Sequence, residues 1–436
     1  MPTSKVSRRF SCKKVNYDYC RSRVASDDFI SASRPILIRL QRPGGRYSLI
    51  TRKNPSVFKL VDLKIAVNTR FLLKDRLEGI GWFTHETLKR ITQQHPEHEF
   101  LFFFDRKYSE EFIYGDNVTP VVLQPPARHP ILWYLWFEWS VASALKKHKP
   151  DVFLSTDGYC SLRSKIPTTL VVHDLAFENT PEDLGGLVSK YYKYYTPRFV
   201  SHSKRVVTVS EFSKGDIQKF YGTSPDKIDV VFNGCKEHLR PISVAEQQKV
   251  RAEFTDGQPY FLFVGALHPR KNIANLFKAF DAMKSETGLA HKLVLAGRKG
   301  WGTKEIEETF DKMAHKADVV FTDRVSESTL HGLLASAEAL TYVPFLEGFG
   351  IPIIEAQNCD TPVITSNITS MPEVAGDSAC LIDPYDVKSI SEGLKKVAKD
   401  AEYRVALIQK GKENRHRFSW QQTADLLWAS MMKTVE

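Results

Sequence analysis

From residue 63 onward, two hydrophobic rhythms alternate. Short β-branched and aromatic runs read as buried strands: "LKIAVN", "EFLFFF", "DVFLST", "TTLVV", "RVVTVS" and "KIDVVFNG". Between them lie segments of helical period. "EGIGWFTHETLKRITQQ" predicts a glycine turn and then a helix with Phe83, Leu88 and Ile91 on one face; 131–147 predicts an aromatic helix; "EFSKGDIQKFYG" predicts another. After Gly234 the rhythm pauses through "CKEHLRPISVAEQQ", which reads as a linker and hinge. It resumes with the strands "YFLFVGAL", "KLVLAG", "DVVFTDRV", "ALTYVP" and "PVITSN". The helices "NIANLFKAFDAMKSE", "KEIEETFDKMAH" and "SESTLHGLLASAE" lie between them, the last with Ser326 as N-cap and Thr329 at the third helical position. Strand–helix alternation of this kind predicts an α/β fold of two tandem, Rossmann-like, doubly wound domains. Ligands of such sheets bind at the carboxyl ends of the strands, so two facing sheets would enclose a cleft.

Composition changes this picture at one end. The 436-residue chain carries a net charge of +10, which would suggest a nucleic-acid partner. Of its 61 basic side chains, however, 14 lie in residues 1–60 beside only 3 aspartates, leaving 47 basic against 48 acidic in the rest. The body is balanced, and no nucleic-acid partner is expected. The head is Arg- and Ser-rich with no sustained period, and only "PILIRL" is a strand candidate. It lacks the apolar centre of a secretory signal, and Asp27 and Asp28 count against a transit peptide. We expect residues 1–60 to be a disordered basic extension, dispensable for folding and catalysis; a basic arm that docks on anionic membrane is the competing reading. The six cysteines are scattered without metal spacing, which points to reduced thiols and a cytoplasmic protein. Peripheral contact with the inner membrane is left open.

The candidate chemistry centres on "FLEGFGIPIIEA", residues 345–356. Glu347 falls at a strand's carboxyl end, and Gly348-Phe349-Gly350 allows a tight turn with exposed backbone. Pro352 suits the first turn of a helix whose free amides attract an anion or a sugar hydroxyl. Glu355, in the early helix, can accept hydrogen bonds from a vicinal diol. A glycosidase pair would need its carboxyls about 5–10 Å apart. Eight residues of helix span about 12 Å, which fits two separate sugar contacts better. The bland alternative is that both glutamates only stabilise a helix N-terminus.

"GALHPRKN", residues 265–272, places Arg270 and Lys271 at another strand end, where two cations can neutralise a diphosphate leaving group, or simply sit in a solvated loop. In "EGIG", Gly79 and Gly81 permit close approach to a ligand, or form an ordinary turn. The aromatics Trp133, Tyr134, Trp136, Phe137 and Trp139 invite an acceptor-lipid or sugar-stacking reading, although so dense a cluster is more often core. No D-x-D triplet occurs, so no aspartate pair is offered to a divalent ion and no essential metal or other cofactor is expected.

These stretches resemble retaining glycosyltransferases of family 4, which have the GT-B fold. The E-x7-E pattern in "EGFGIPIIEA" carries the resemblance, with "VGALHPRKN", "LAG", "FTDRVSESTL", "PVITSNITSMPEVAGDSACLIDP" and "RFSWQQTADLL" in the same order. Bacterial mannosyltransferases of polysaccharide and lipopolysaccharide assembly are the most similar type. The resemblance implies that Arg270 and Lys271 hold the donor diphosphate, Glu355 the ribose and Glu347 the transferred hexose. It implies contacts from Gly348, Phe349 and Gly350 to sugar or phosphate, and from Gly81 to phosphate. It further implies Val325 beside the nucleobase, and His173 with Asp174 at the reacting sugar; from the residues alone, His173 is equally a satisfied strand-end histidine. Many members carry Gly-Arg where this chain has Gly265-Ala266, and Arg270 or Arg298 would have to substitute. The implied partners are a GDP- or UDP-linked hexose and a glycan or lipid-linked acceptor. The implied domains are 61–240 on the acceptor side, 241–416 on the donor side, and 417–436 as a C-terminal helix that can cross back. A sugar-nucleotide 2-epimerase of the same fold and a non-catalytic binding module are the alternatives.

Overall fold

A computed structural model of the chain describes residues 62–180, 186–300 and 303–436, together with three backbone strands nearer the N-terminus. Those strands, β1 (Leu37–Gln41), β2 (Tyr47–Arg52) and β3 (Phe58–Leu60), form an antiparallel sheet in the order β1-β2-β3. The first of them overlaps "PILIRL", the strand candidate of the head. The alternation of Leu, Ile and polar residues in "LIRLQ" and "YSLITR" is enough to pair strands. The rest of residues 1–61 lies outside the described residues.

Residues 62–436 form a separate compact unit containing two parallel sheets. The first comprises β4 (Lys64–Asn68), β5 (Glu99–Phe104), β6 (Val118–Val122), β7 (Val152–Ser155), β8 (Thr168–Val172), β9 (Arg205–Thr208) and β10 (Ile228–Val230), in the order β10-β9-β8-β7-β4-β5-β6. The second comprises β11 (Tyr260–Val264), β12 (Lys292–Ala296), β13 (Val319–Asp323), β14 (Ala339–Tyr342), β15 (Val363–Ser366) and β16 (Ala379–Ile382), in the order β13-β12-β11-β14-β15-β16. Helices cover both faces, so central strands are apolar on both sides; Ile65, Ala66 and Val67 of β4 are fully buried. Strand order reverses beside β4 and beside β11. The loops that leave these strands diverge there and open a crevice in each sheet.

Several local details differ from the sequence pattern. The helix Val244–Thr255 begins inside the stretch expected to be linker, because Ser243 and Glu246 form a reciprocal capping box. Gly79 is the first residue of the helix Gly79–Gln94, not part of a preceding turn. The aromatic helix runs over residues 130–148 and is interrupted by a π-helical turn, Trp136–Val141.

The helix Trp420–Val435 follows the second sheet in sequence and packs on the first. It lies against Gly79–Gln94, and its Thr434 hydroxyl meets that of Thr169 in β8 at 2.7 Å. Ser430 and Lys433 both donate to Asp229 of β10, at 2.8 and 2.7 Å. Leu427, Trp428 and Met431 are buried in this contact.

Candidate active site

A cavity of about 760 Å³ lies between the carboxyl ends of the two sheets. Its floor on the second sheet is the loop from β14 to the helix Ile351–Asn358. Hydroxyls hold the carbonyls of this loop. Ser366 Oγ donates to Pro344 O at 2.6 Å, Ser370 Oγ to Glu347 O at 2.8 Å, and Ser210 Oγ, from the first sheet's side, to Gly348 O at 2.6 Å. The Phe349 ring is buried against Phe232 and Phe418, which anchors the turn between its glycines. Gly350 takes φ +105°, a left-handed value that side chains resist. With the carbonyls turned away, the amides of Gly348, Phe349 and Gly350 have no acceptor among the described residues and stand at the cavity wall.

Glu347 occupies the centre. Arg270 Nη1 donates to its Oε1 at 2.8 Å, and the Lys271 ammonium reaches the same oxygen. Lys271 also donates to the Tyr342 hydroxyl. The two cations share one carboxylate, Glu347, which offsets one of their two charges and leaves a positive excess at the cavity. Burial alone would raise the Glu347 carboxyl, but Arg270 and Lys271 outweigh it and hold its pKa below the usual value. Burial lowers the Lys271 pKa despite Glu347.

Glu355 is the opposite case. It is only 6% exposed, lines the cavity, and among the described residues its carboxylate has no hydrogen bond or ion pair. Burial raises its pKa to about 7, with Lys236 opposing. A buried carboxyl without a partner, aimed into a cavity, is built for a ligand that donates hydrogen bonds.

From the first sheet come His173 and Asp174, just beyond β8. His173 Nε2 lies 2.9 Å from the Thr156 carbonyl, which fixes the proton on Nε2 and leaves a lone pair on Nδ1. Burial lowers its pKa, so the ring is neutral near pH 7. Asp174 Oδ1 accepts from the Ala176 amide at 3.1 Å. The two domains meet closely here: a Cβ on Gly348 would stand 2.4 Å from the His173 carbonyl oxygen.

Nine residues named from the sequence thus line one cavity: His173, Asp174, Arg270, Lys271, Glu347, Gly348, Phe349, Gly350 and Glu355. Two do not. Gly81 faces the protein, where a Cβ would come within 2.9 Å of the Phe71 carbonyl, and it is Gly79 that reaches the cavity. Val325 is half-buried ahead of the helix Glu327–Ser336 and is not part of the wall. Where the resemblance expects an arginine, Ala266 lines the wall, and Arg298 stands at the mouth, 3.3 Å from Glu78. Sequence reasoning missed Lys236, which pairs with Glu327 at 2.7 Å and lies over the Trp82 ring. It also missed Tyr342 and Asp157. A lone lysine in a linker carries no spacing signal, whereas the position of Tyr342 in a strand running toward the site could have been read.

Against known proteins, residues 77–237 match the family described as "Glycosyltransferase Family 4", and residues 244–414 match "Glycosyl transferases group 1". The chain belongs to glycosyltransferase family 4. Among the relatives of this glycosyltransferase are the O-antigen chain mannosyltransferase B of Escherichia coli, 28% identical over 80% of this chain and 94% of its own length, and the O-antigen chain mannosyltransferase RfbU of Salmonella typhimurium, 28% identical over 66% and 78%. Solved structures agree on the GT-B fold. HepE of Anabaena in complex with UDP and glucose superposes with TM-score 0.66 at 16% identity, covering 85% of this chain and 99% of its own. WaaG, a glycosyltransferase involved in lipopolysaccharide biosynthesis, gives 0.65 at 15%, covering 84% and 99%. Glycosyl transfer thus replaces the epimerase and binding-module alternatives.

Proposed function

We propose that this hexosyltransferase moves mannose from a nucleotide-linked donor to a hydroxyl of a glycan, free or lipid-linked, with retention of anomeric configuration and without a metal ion. The observation that carries the reading is the pairing of an unpartnered buried carboxyl, Glu355, with a carboxylate held between two cations, Glu347, across unoccupied backbone amides. Glu355 would take the ribose diol. The amides and the Arg270–Lys271 pair would take the diphosphate, and Glu347 would pass from neutralising those cations to orienting hexose hydroxyls. His173 Nδ1 would accept from the hexose, opposite the diphosphate.

In this reading no covalent enzyme intermediate forms, and the acceptor oxygen attacks C1 on the face the phosphate leaves. The C1–phosphate bond breaks, the C1–acceptor bond forms, and the acceptor proton passes to the departing phosphate oxygen. Charge developing there is met by Lys271, Arg270 and the amides. Mannose is favoured by the relatives' names, and the nucleobase is decided by assay.

The test is a panel of GDP- and UDP-hexoses with and without glycan acceptors. Nucleotide release that depends on acceptor, with an α-linked product from an α-linked donor, supports the reading. Isomerisation of the donor without acceptor would overturn it. Activity should survive EDTA; loss restored by Mn²⁺ would remove the metal-free element.

A further inference from the structure

Behind the cavity, the two domains touch through a carboxylate. Glu373 lies in the short helix Met371–Ala375 of the second domain, half-buried and outside the cavity wall. Its Oε1 accepts from the Glu211 amide at 2.8 Å, and its Oε2 from the Phe212 amide at 3.2 Å. Those amides open the helix Glu211–Tyr221 of the first domain. The opening amides of a helix have no partner within it. Here the N-cap, Ser210, accepts from Ser213 N at 3.1 Å and so meets only the third of them. The first two are left to the other domain, and a carboxylate is the group that a helix N-terminus favours. With the domains apart, both partners would turn to water, so this bond forms on approach and is readily exchanged.

On each side, what Glu373 joins leads back to the site. Ser370, three residues before it, donates to Glu347 O at 2.8 Å and to Phe349 O at 3.1 Å. Ser213, on the capped helix, donates to the His173 carbonyl at 3.3 Å. A continuous route therefore runs from His173 through Ser213 and the helix N-terminus to Glu373, and on through Ser370 to Glu347. Ser210, donating to Gly348 O at 2.6 Å, ties the same helix end to the motif loop. The Glu78–Arg298 pair across the mouth is exposed on both partners, and such pairs hold little. The junction at Glu211–Phe212 is thus better placed to fix how closely the two sheets approach.

We infer that Glu373 is a positioning residue for glycosyl transfer: by capping the helix Glu211–Tyr221 across the cleft, it fixes the separation of His173 from Glu347 and the motif amides. The inference rests on the two-sided site proposed above and adds to it a residue that touches neither donor nor acceptor. A misplacement of about 1 Å between reacting groups can cost 10²-fold in rate, so a contact outside the cavity can govern turnover.

The test compares Glu373→Ala, Glu373→Gln and Ser213→Ala with the wild type in the full chain. It reads deuterium exchange over residues 210–214, calorimetric affinity for GDP and UDP, and turnover with the donor and acceptor that the panel identifies. Exchange needs no activity, so the cap can fail while glycosyl transfer stands, and the reverse. In Glu373→Ala the Glu211 and Phe212 amides should exchange about tenfold faster or more, with the melting temperature close to that of the wild type. Turnover should fall about tenfold or more, while affinity for the diphosphate changes by less than about threefold. Glu373→Gln keeps one accepting oxygen and should recover part of the turnover. Glu373→Ala combined with Ser213→Ala should cost no more than the larger single loss, because both break one route. Unchanged exchange over residues 210–214 overturns the inference. So do equal losses of affinity and turnover, or additive losses in the double variant. If Glu373→Ala does not fold, Glu373→Gln decides: having lost one of two bonds, it must lose turnover without a matching loss of affinity.

Discussion

Glu347 and Glu355 are eight residues apart in one motif, yet their surroundings drive their protons in opposite directions. Glu347 stays ionised because it is the counter-ion of Arg270 and Lys271. Glu347→Gln should lower turnover about 10²-fold. It should also lower the melting temperature, since two buried cations lose their partner. At one common nucleoside diphosphate concentration the variant should then be stabilised more than the wild type, because phosphate supplies the missing anion. If the variant's thermal shift with diphosphate is smaller than wild type's, the clamp is misassigned. Glu355 is tuned the other way, its pKa raised from 4.5 to about 7. Below pH 4.5 the carboxyl is protonated in folded and unfolded chains alike. Between 4.5 and 7 the unfolded chain ionises first, so stability falls as pH rises. At 1.36 kcal/mol per pH unit the full cost above pH 7 is about 3 kcal/mol. Glu355→Gln should therefore raise the melting temperature at pH 8, leave it nearly unchanged at pH 4, and weaken donor binding. A variant less stable at pH 8 would contradict the assignment. The sequence showed both glutamates but not this contrast, because the partners of Glu347, Arg270 and Lys271, lie more than 70 residues away in the chain and the burial of Glu355 comes from the assembled cavity.

At the scale of elements, the motif loop works by turning its carbonyls toward serines and leaving its amides open. The glycines and Pro352 made the turn and the helix start legible. The serines that hold it were not, since Ser210 lies on the first sheet's side and Ser366 and Ser370 on the stretch that leaves β15. Gly81 lies outside the cavity wall for a related reason: a Gly-x-Gly does not say which glycine faces a cavity, and Gly81 packs against Phe71. Gly348 sits where the loop touches the turn after β8, and a methyl group has no room beside the His173 carbonyl. Gly348→Ala should force the domains apart. We expect turnover to fall by at least about tenfold while donor affinity, measured by calorimetry, changes by less than about threefold. An equal loss in both would mean that the loop amides, not domain approach, are damaged.

At the scale of the whole molecule, strand–helix alternation was enough to read two doubly wound domains, because parallel sheets need a crossover between strands. It could not show which surfaces the final helix covers, since amphipathicity names a buried face but not its partner. Trp420–Val435 supplies part of the first domain's wall through Leu427, Trp428 and Met431. Removing residues 420–436 should abolish cooperative unfolding of the first domain, seen as loss of near-ultraviolet dichroism and a melting transition confined to the second. Two independent, unchanged transitions would refute this coupling. The same crossing sets an order of events during synthesis. Thr434 meets Thr169 across 265 positions of sequence, so the first sheet leaves the ribosome long before its covering helix is made. The second domain can close on itself while the first waits with an apolar face uncovered. A nascent chain halted anywhere between the two sheets and residue 420 therefore leaves that apolar face open to chaperones and proteases.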